Sequence, residues 1–76
     1  MLVRVNIRNL QNFRNLKGLS QYSLSKKADL GKNAIWQLET QKYDKCSLVR
    51  LKAIADILGI DVQELVLKDN GEGEKL

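Results

Sequence analysis

Residues 19–39 read LSQYSLSKKADLGKNAIWQLE, and this stretch decides the fold. Two short helical patterns lie end to end, separated by a break at Asp29-Leu30-Gly31. The first opens on Ser20, whose hydroxyl suits a helix N-terminus, and spaces Leu24 and Ala28 so that both face inward. The second opens on Gly31 and turns Ile35 and Leu38 inward. Its other face carries Lys32, Asn33, Trp36 and Gln37, with no acidic side chain. A polar helix face of this kind, held outward by the preceding helix, suits contact with DNA.

Upstream, Asn6 is placed to cap a first helix and Gly18 to end it. Between them Ile7, Leu10, Phe13 and Leu16 recur at helical spacing. Residues 2–5 alternate apolar and basic, and read either as an extended arm or as an early helical turn. The second helix is expected from about Gln21 to Ala28 and the third from about Lys32 to Gln41. Residues 41–46, QKYDKC, read as a polar loop. Ser47 then caps a fourth helix with an apolar stripe of Leu48, Leu51, Ile54, Ala55 and Leu58, ended by Gly59. Asp61 caps a last short helix carrying Val62, Leu65 and Val66. The expectation is a compact all-α, five-helix domain over residues 1–67, followed by a flexible polar tail, KDNGEGEKL, at residues 68–76.

Composition narrows the function. With 76 residues, no Pro and five Gly, the chain suits one small helical domain rather than a turn-rich sheet. The charge is uneven. Residues 1–45 hold nine Lys/Arg against three Asp/Glu, a balance of +6, and residues 46–76 hold four against six, a balance of −2. A basic half suggests an anionic partner. No run of 18 apolar residues is present, so no membrane association is expected, and a single Cys46 fits a reducing cytoplasm.

The residues Leu19-Ser20-Gln21, Leu24, Ile35, Leu38-Glu39, Ile54-Ala55 and Leu58-Gly59 together resemble the Cro/CI-type (XRE) helix-turn-helix family of phage and bacterial repressors. The match covers about residues 7–66. It implies a lambda-repressor-like fold with the helix-turn-helix at helices 2 and 3. There are departures: Asp29 stands where the family usually has Gly, Ser25 where a small Ala is common, Gln41 where Gly is usual, and Cys46 at a common Pro position. The Asp29 site calls for a left-handed backbone, which Asp tolerates better than most residues.

The candidate site residues follow from motif and chemistry together. Lys32 and Asn33 open helix 3, where this motif makes base contacts. Lys can donate to guanine O6 or N7, and Asn can bond adenine N6 and N7 together. Gln37 lies one turn further along the same face and can also read adenine. Trp36 shares that face; its indole either touches the duplex or folds back as a lid on the core. The resemblance makes Gln21 a phosphate ligand that also braces helix 3, at a helix start whose N–H groups favour an anion. It places Lys42, Tyr43 and Lys45 along the sugar-phosphate backbone. It also pairs Arg14 with Glu39 to fix the angle of helix 3.

Catalysis has little support. The chain has no His, and Cys46 has no imidazole partner to activate it. One Cys without His leaves no zinc site, the acidic residues 61, 64, 69, 72 and 74 lack calcium-loop spacing, and there is no P-loop or dinucleotide fingerprint. No enzyme activity, cofactor or metal is expected. The expected partner is double-stranded DNA, bound by a homodimer of a transcriptional regulator, more readily a repressor than an activator. The dimer surface is sought among Val66, Leu67, Ile57 and Ile60, or at the arm of Leu2 and Val3. The competing reading is an antitoxin or accessory module that binds a protein partner and contacts DNA secondarily.

Overall fold

A computed structural model describes residues 1–40 and 44–67. Its elements are β1 (Leu2–Arg4), α1 (Ile7–Leu16), α2 (Gln21–Lys27), α3 (Ala34–Glu39), β2 (Lys45–Ser47), α4 (Leu48–Leu58) and a closing 3-10 turn (Val62–Leu65). The expected polar tail lies outside the described residues, as do Gln41, Lys42 and Tyr43.

The helix starts follow local chemistry. Asn6 Oδ1 accepts from the Asn9 amide at 3.1 Å, Ser20 Oγ from Ser23 at 2.9 Å, and Ser47 Oγ from Arg50 at 3.1 Å. Each such bond satisfies an N–H that the first helical turn leaves open, worth about 1 kcal/mol. The ends are equally local. Gly18, Asp29 and Gly59 take φ of 71°, 61° and 73°. At each, the next residue's amide reaches back to an earlier carbonyl: Leu19 to Arg14, Leu30 to Ser25, and Ile60 to Ala55. This left-handed stop satisfies the last carbonyls and sends the chain off in a new direction. Asp29 is the residue among these with a side chain to strain, and its charge sits at the negative end of α2. Asp29→Gly is therefore expected to stabilise the domain by about 0.5–1 kcal/mol in a denaturant midpoint, the entropy of glycine in the unfolded chain taking back part of the gain. A lowered midpoint would contradict this.

Leu10, Leu24, Ile35, Leu51, Ile54 and Leu65 are fully buried, with contributions from α1, α2, α3, α4 and the 3-10 turn. Each such burial stabilises by roughly 1.5–3 kcal/mol. Leu24 and Ile35 tie the two central helices to one core, so α3 cannot shift without opening it. Leu16, the last of the i+3 series in α1, projects into solvent. Each step of three residues falls about 60° short of a turn, so a strict i+3 stripe spirals off the core.

The structure corrects the five-helix expectation. The described residues form four α-helices, one 3-10 turn and a two-stranded antiparallel sheet. Residues 2–5 take the extended alternative, and part of the expected polar loop is strand β2. The register pairs Leu2 with Ser47, Val3 with Cys46 and Arg4 with Lys45. Val5 and Cys46 point inward, while Leu2, Arg4 and Lys45 are exposed, as a pleated pair with one buried face requires. The last segment does not continue as helix because Val66 turns extended (φ −96°, ψ 127°) and bridges Val5. Helix α3 begins at Ala34, later than Lys32, because Lys32 and Asn33 occupy a turn closed by the Ala34 amide on the Gly31 carbonyl at 2.9 Å.

Candidate nucleic-acid interface

The outward side of α3 rests on a buried polar network. Arg14 Nε donates to Glu39 Oε2 at 2.7 Å and Arg14 Nη2 to Glu39 Oε1 at 2.9 Å. Arg14 Nη1 donates to the Leu19 carbonyl at 2.9 Å, and Gln21 Nε2 to Glu39 Oε1 at 2.8 Å. The Glu39 side chain is 2% exposed and that of Arg14 13%. A planar guanidinium matches a carboxylate with two parallel bonds, so the pair fixes orientation as well as distance. The network joins α1, the start of α2 and the last residue of α3. It ties the last residue of α3 to both earlier helices through side-chain bonds that no helix propensity encodes.

Around this support, Lys32 and Asn33 are exposed in the turn that leads into α3. Trp36 is 46% exposed, so much of the indole faces solvent. Gln37 is half-buried in a groove of about 230 Å³ that it lines with Leu30, Ala34, Leu38, Cys46 and Arg50. Gln21 is half-buried at the first residue of α2, with an amide hydrogen committed to Glu39. Lys45 is exposed on β2, and the adjacent Asp44 lies 3.8 Å from Arg4 Nε, which draws that carboxylate toward a cation of its own sheet. Lys42 and Tyr43 lie outside the described residues.

Arg50 escaped sequence reasoning. It stands on the first turn of α4 and reaches the same groove as Gln37. A basic residue three places after the capping Ser47 was the available signal. Burial pushes the Cys46 thiol above its ordinary range, against a smaller opposing pull from Arg50. The thiol therefore stays protonated and is a poor nucleophile at neutral pH. Among the described residues no cluster of three His, Cys, Asp or Glu could hold a metal ion, and no helix is long and apolar enough to cross a membrane.

Comparison with known proteins agrees with this architecture. The chain resembles the crystal structure of SinR, a master regulator for biofilm formation, in complex with DNA: TM-score 0.71, 23% identity, covering 75% of this chain and 90% of that one. It also resembles a hypothetical transcription factor, NHTF, from Neisseria: TM-score 0.75, 23% identity, covering 92% of this chain and 79% of that one. At that identity the two establish the fold. No curated protein matches the sequence. The family model for the Cro/C1-type HTH DNA-binding domain matches residues 9–67, from the first turns of α1 to the bridge beyond the 3-10 turn. The chain therefore belongs to the Cro/C1-type helix-turn-helix family of DNA-binding domains.

Proposed function

We propose that this protein is a sequence-specific transcriptional regulator that reads the major groove with the outward side of α3. The observation that carries this reading is the pairing of an exposed polar surface with a rigid buried support. Lys32, Asn33, Trp36 and Gln37 supply donors, acceptors and an aromatic edge, and the Arg14–Glu39–Gln21 network holds the helix behind them. In this reading Lys32, Asn33 and Gln37 contact base edges, and Trp36 contacts a thymine methyl or a phosphate. Gln21 and Lys45 contact phosphates, together with Lys42 and Tyr43 from the segment outside the described residues. Arg50 joins them from the wall of the same groove. The neighbouring SinR structure, which contains DNA, supports the duplex as partner.

One such domain makes few base contacts, so a homodimer on a palindromic operator, with half-sites about 34 Å apart, is proposed. Repression is the simpler outcome, because a bound domain obstructs a promoter without any further contact. Selection of bound sites from a random duplex pool tests the whole reading. Recovery of an inverted repeat with that spacing supports it, and recovery of no enriched sequence contradicts it. Lys42→Ala is expected to weaken binding to all duplexes alike and to flatten the salt dependence by about one ion. An unchanged salt slope would remove Lys42 from the phosphate contacts.

A second reading is favoured by one observation. Met1, Leu2 and Val49 are 89%, 67% and 81% exposed. They lie together, because Leu2 pairs with Ser47 and the Leu48 amide donates to the Met1 carbonyl. Of the dimer candidates expected from the sequence, Leu2 is exposed and belongs to this patch, whereas Val3, Ile57, Ile60, Val66 and Leu67 are half-buried. The same patch would serve an antitoxin or accessory module docking a different protein. Sedimentation of the pure chain with and without operator DNA separates the two: a dimer favours the first reading, and a monomer that binds no palindrome favours the second.

A further inference from the structure

We infer that Ser25 positions the start of the recognition helix and so sets which way Lys32 and Asn33 face, an inference that rests on the base-reading proposed for those two residues. Ser25 is a fully buried polar residue of α2, 0% exposed. Its hydroxyl donates to the Gln21 carbonyl at 2.8 Å and accepts from the Ile35 amide at 3.0 Å. The second bond crosses from α2 to α3 and ends on an amide whose residue is itself 0% exposed.

Its place in the ladder of α3 gives this bond its consequence. In a regular helix the Ile35 amide would meet the carbonyl four residues back, which is that of Gly31. Here the Gly31 carbonyl accepts from Ala34 instead, in a tighter three-residue turn. The four-residue pattern is established at the Gln37 amide, which donates to Asn33 at 2.9 Å. Gly31 has no side chain to cap the helix, and Asn33 makes no side-chain cap bond. The hydroxyl of Ser25 therefore fills the place of the missing carbonyl. Asn33 is left outside the regular helix at φ −103° and ψ 10°.

Without that hydroxyl, a buried N–H would lose its acceptor, which is costly. The least disruptive remedy is for the Gly31 carbonyl to shift from Ala34 to Ile35. That would wind Lys32 and Asn33 into the helix and rotate both side chains. Gln37 would stay in place, because Glu39 pins the far end of α3 through Arg14 and Gln21.

The test compares Ser25→Ala with Ser25→Cys, which fills the site with a somewhat larger thiol but accepts a hydrogen bond poorly. Each is run through site selection beside Lys32→Ala, Asn33→Ala and Gln37→Ala. In both Ser25 variants, preference should fall about tenfold at the base pairs that Lys32→Ala and Asn33→Ala affect. Preference at the base pair affected by Gln37→Ala should hold. Without DNA, the Lys32 and Asn33 Cα chemical shifts should move toward helical values. Binding weakened equally on every duplex, or shifts that do not move, would reduce Ser25 to a brace of the fold and overturn the inference. A normal profile in both Ser25 variants, with altered Lys32 and Asn33 profiles, overturns it while leaving the base-reading intact. Unaltered Lys32→Ala and Asn33→Ala profiles remove the base-reading, and the inference with it.

Discussion

Glu39→Ala is expected to destabilise the domain by roughly 3–5 kcal/mol, the loss typical of removing one partner from a buried ion pair. The substitution strands the Arg14 guanidinium, whose side chain is 13% exposed, with the Leu19 carbonyl as its remaining partner among those described above. It also leaves Gln21 Nε2 without its acceptor. A domain of this size has a total stability of about 5–10 kcal/mol, at the low end of the usual range, so the variant should be substantially unfolded on mild warming. Glu39→Gln keeps the shape and one acceptor oxygen, and should lose less. Arg14→Ala should resemble Glu39→Ala, and the double variant should cost less than the two single losses added together, because the partners are in contact. Urea midpoints measure all four. A loss below about 1 kcal/mol for Glu39→Ala would place the pair with exposed surface bridges and remove the clamp on α3.

Lys32→Ala and Gln37→Ala should each reduce discrimination between operator and random duplex by roughly 1–3 kcal/mol, the worth of one good base contact. Neither side chain is among the buried residues, so stability should change little. This separates them from Glu39, whose loss acts through the fold. Gln37 has the further role of lining a groove with Leu38 and Cys46, so its truncation should be checked by a thermal midpoint as well. Competition binding on operator and random duplexes gives the discrimination directly. A variant that keeps the native ratio has no base-reading role.

The helix order was legible because its signals are local. Asn6, Ser20 and Ser47 cap helices whose first turns follow them immediately, and Gly18 and Gly59 stop helices through their own backbone freedom. The sheet was not legible, because three residues carry too little alternation and the partner of Val3 lies at Cys46, across α1, α2 and α3. The final segment has helical spacing, yet Val66 turns extended and bridges Val5, a residue distant in sequence. The exposure of Lys32, Asn33 and Trp36 could be placed from the spacing of Ile35 and Leu38, which fix the inward side, whereas Gln37 is half-buried in the groove it shares with Cys46 and Arg50. The start of α3 could not, because it depends on a hydroxyl ten residues earlier, and a serine in the middle of a helix announces no such partner. Arg50 and Gln37 line one groove only in the folded chain, which spacing along the sequence does not reveal.

The most direct measurement is an amide and side-chain NMR titration of the native chain with a duplex recovered by site selection. The largest changes should fall on Lys32, Asn33, Trp36 and Gln37, including the Trp36 indole N–H and the Asn33 and Gln37 carboxamides, with smaller changes at Gln21, Lys45 and Arg50. Changes centred instead on Met1, Leu2 and Val49, with the α3 side chains unmoved, would show that the duplex does not meet this protein through its third helix.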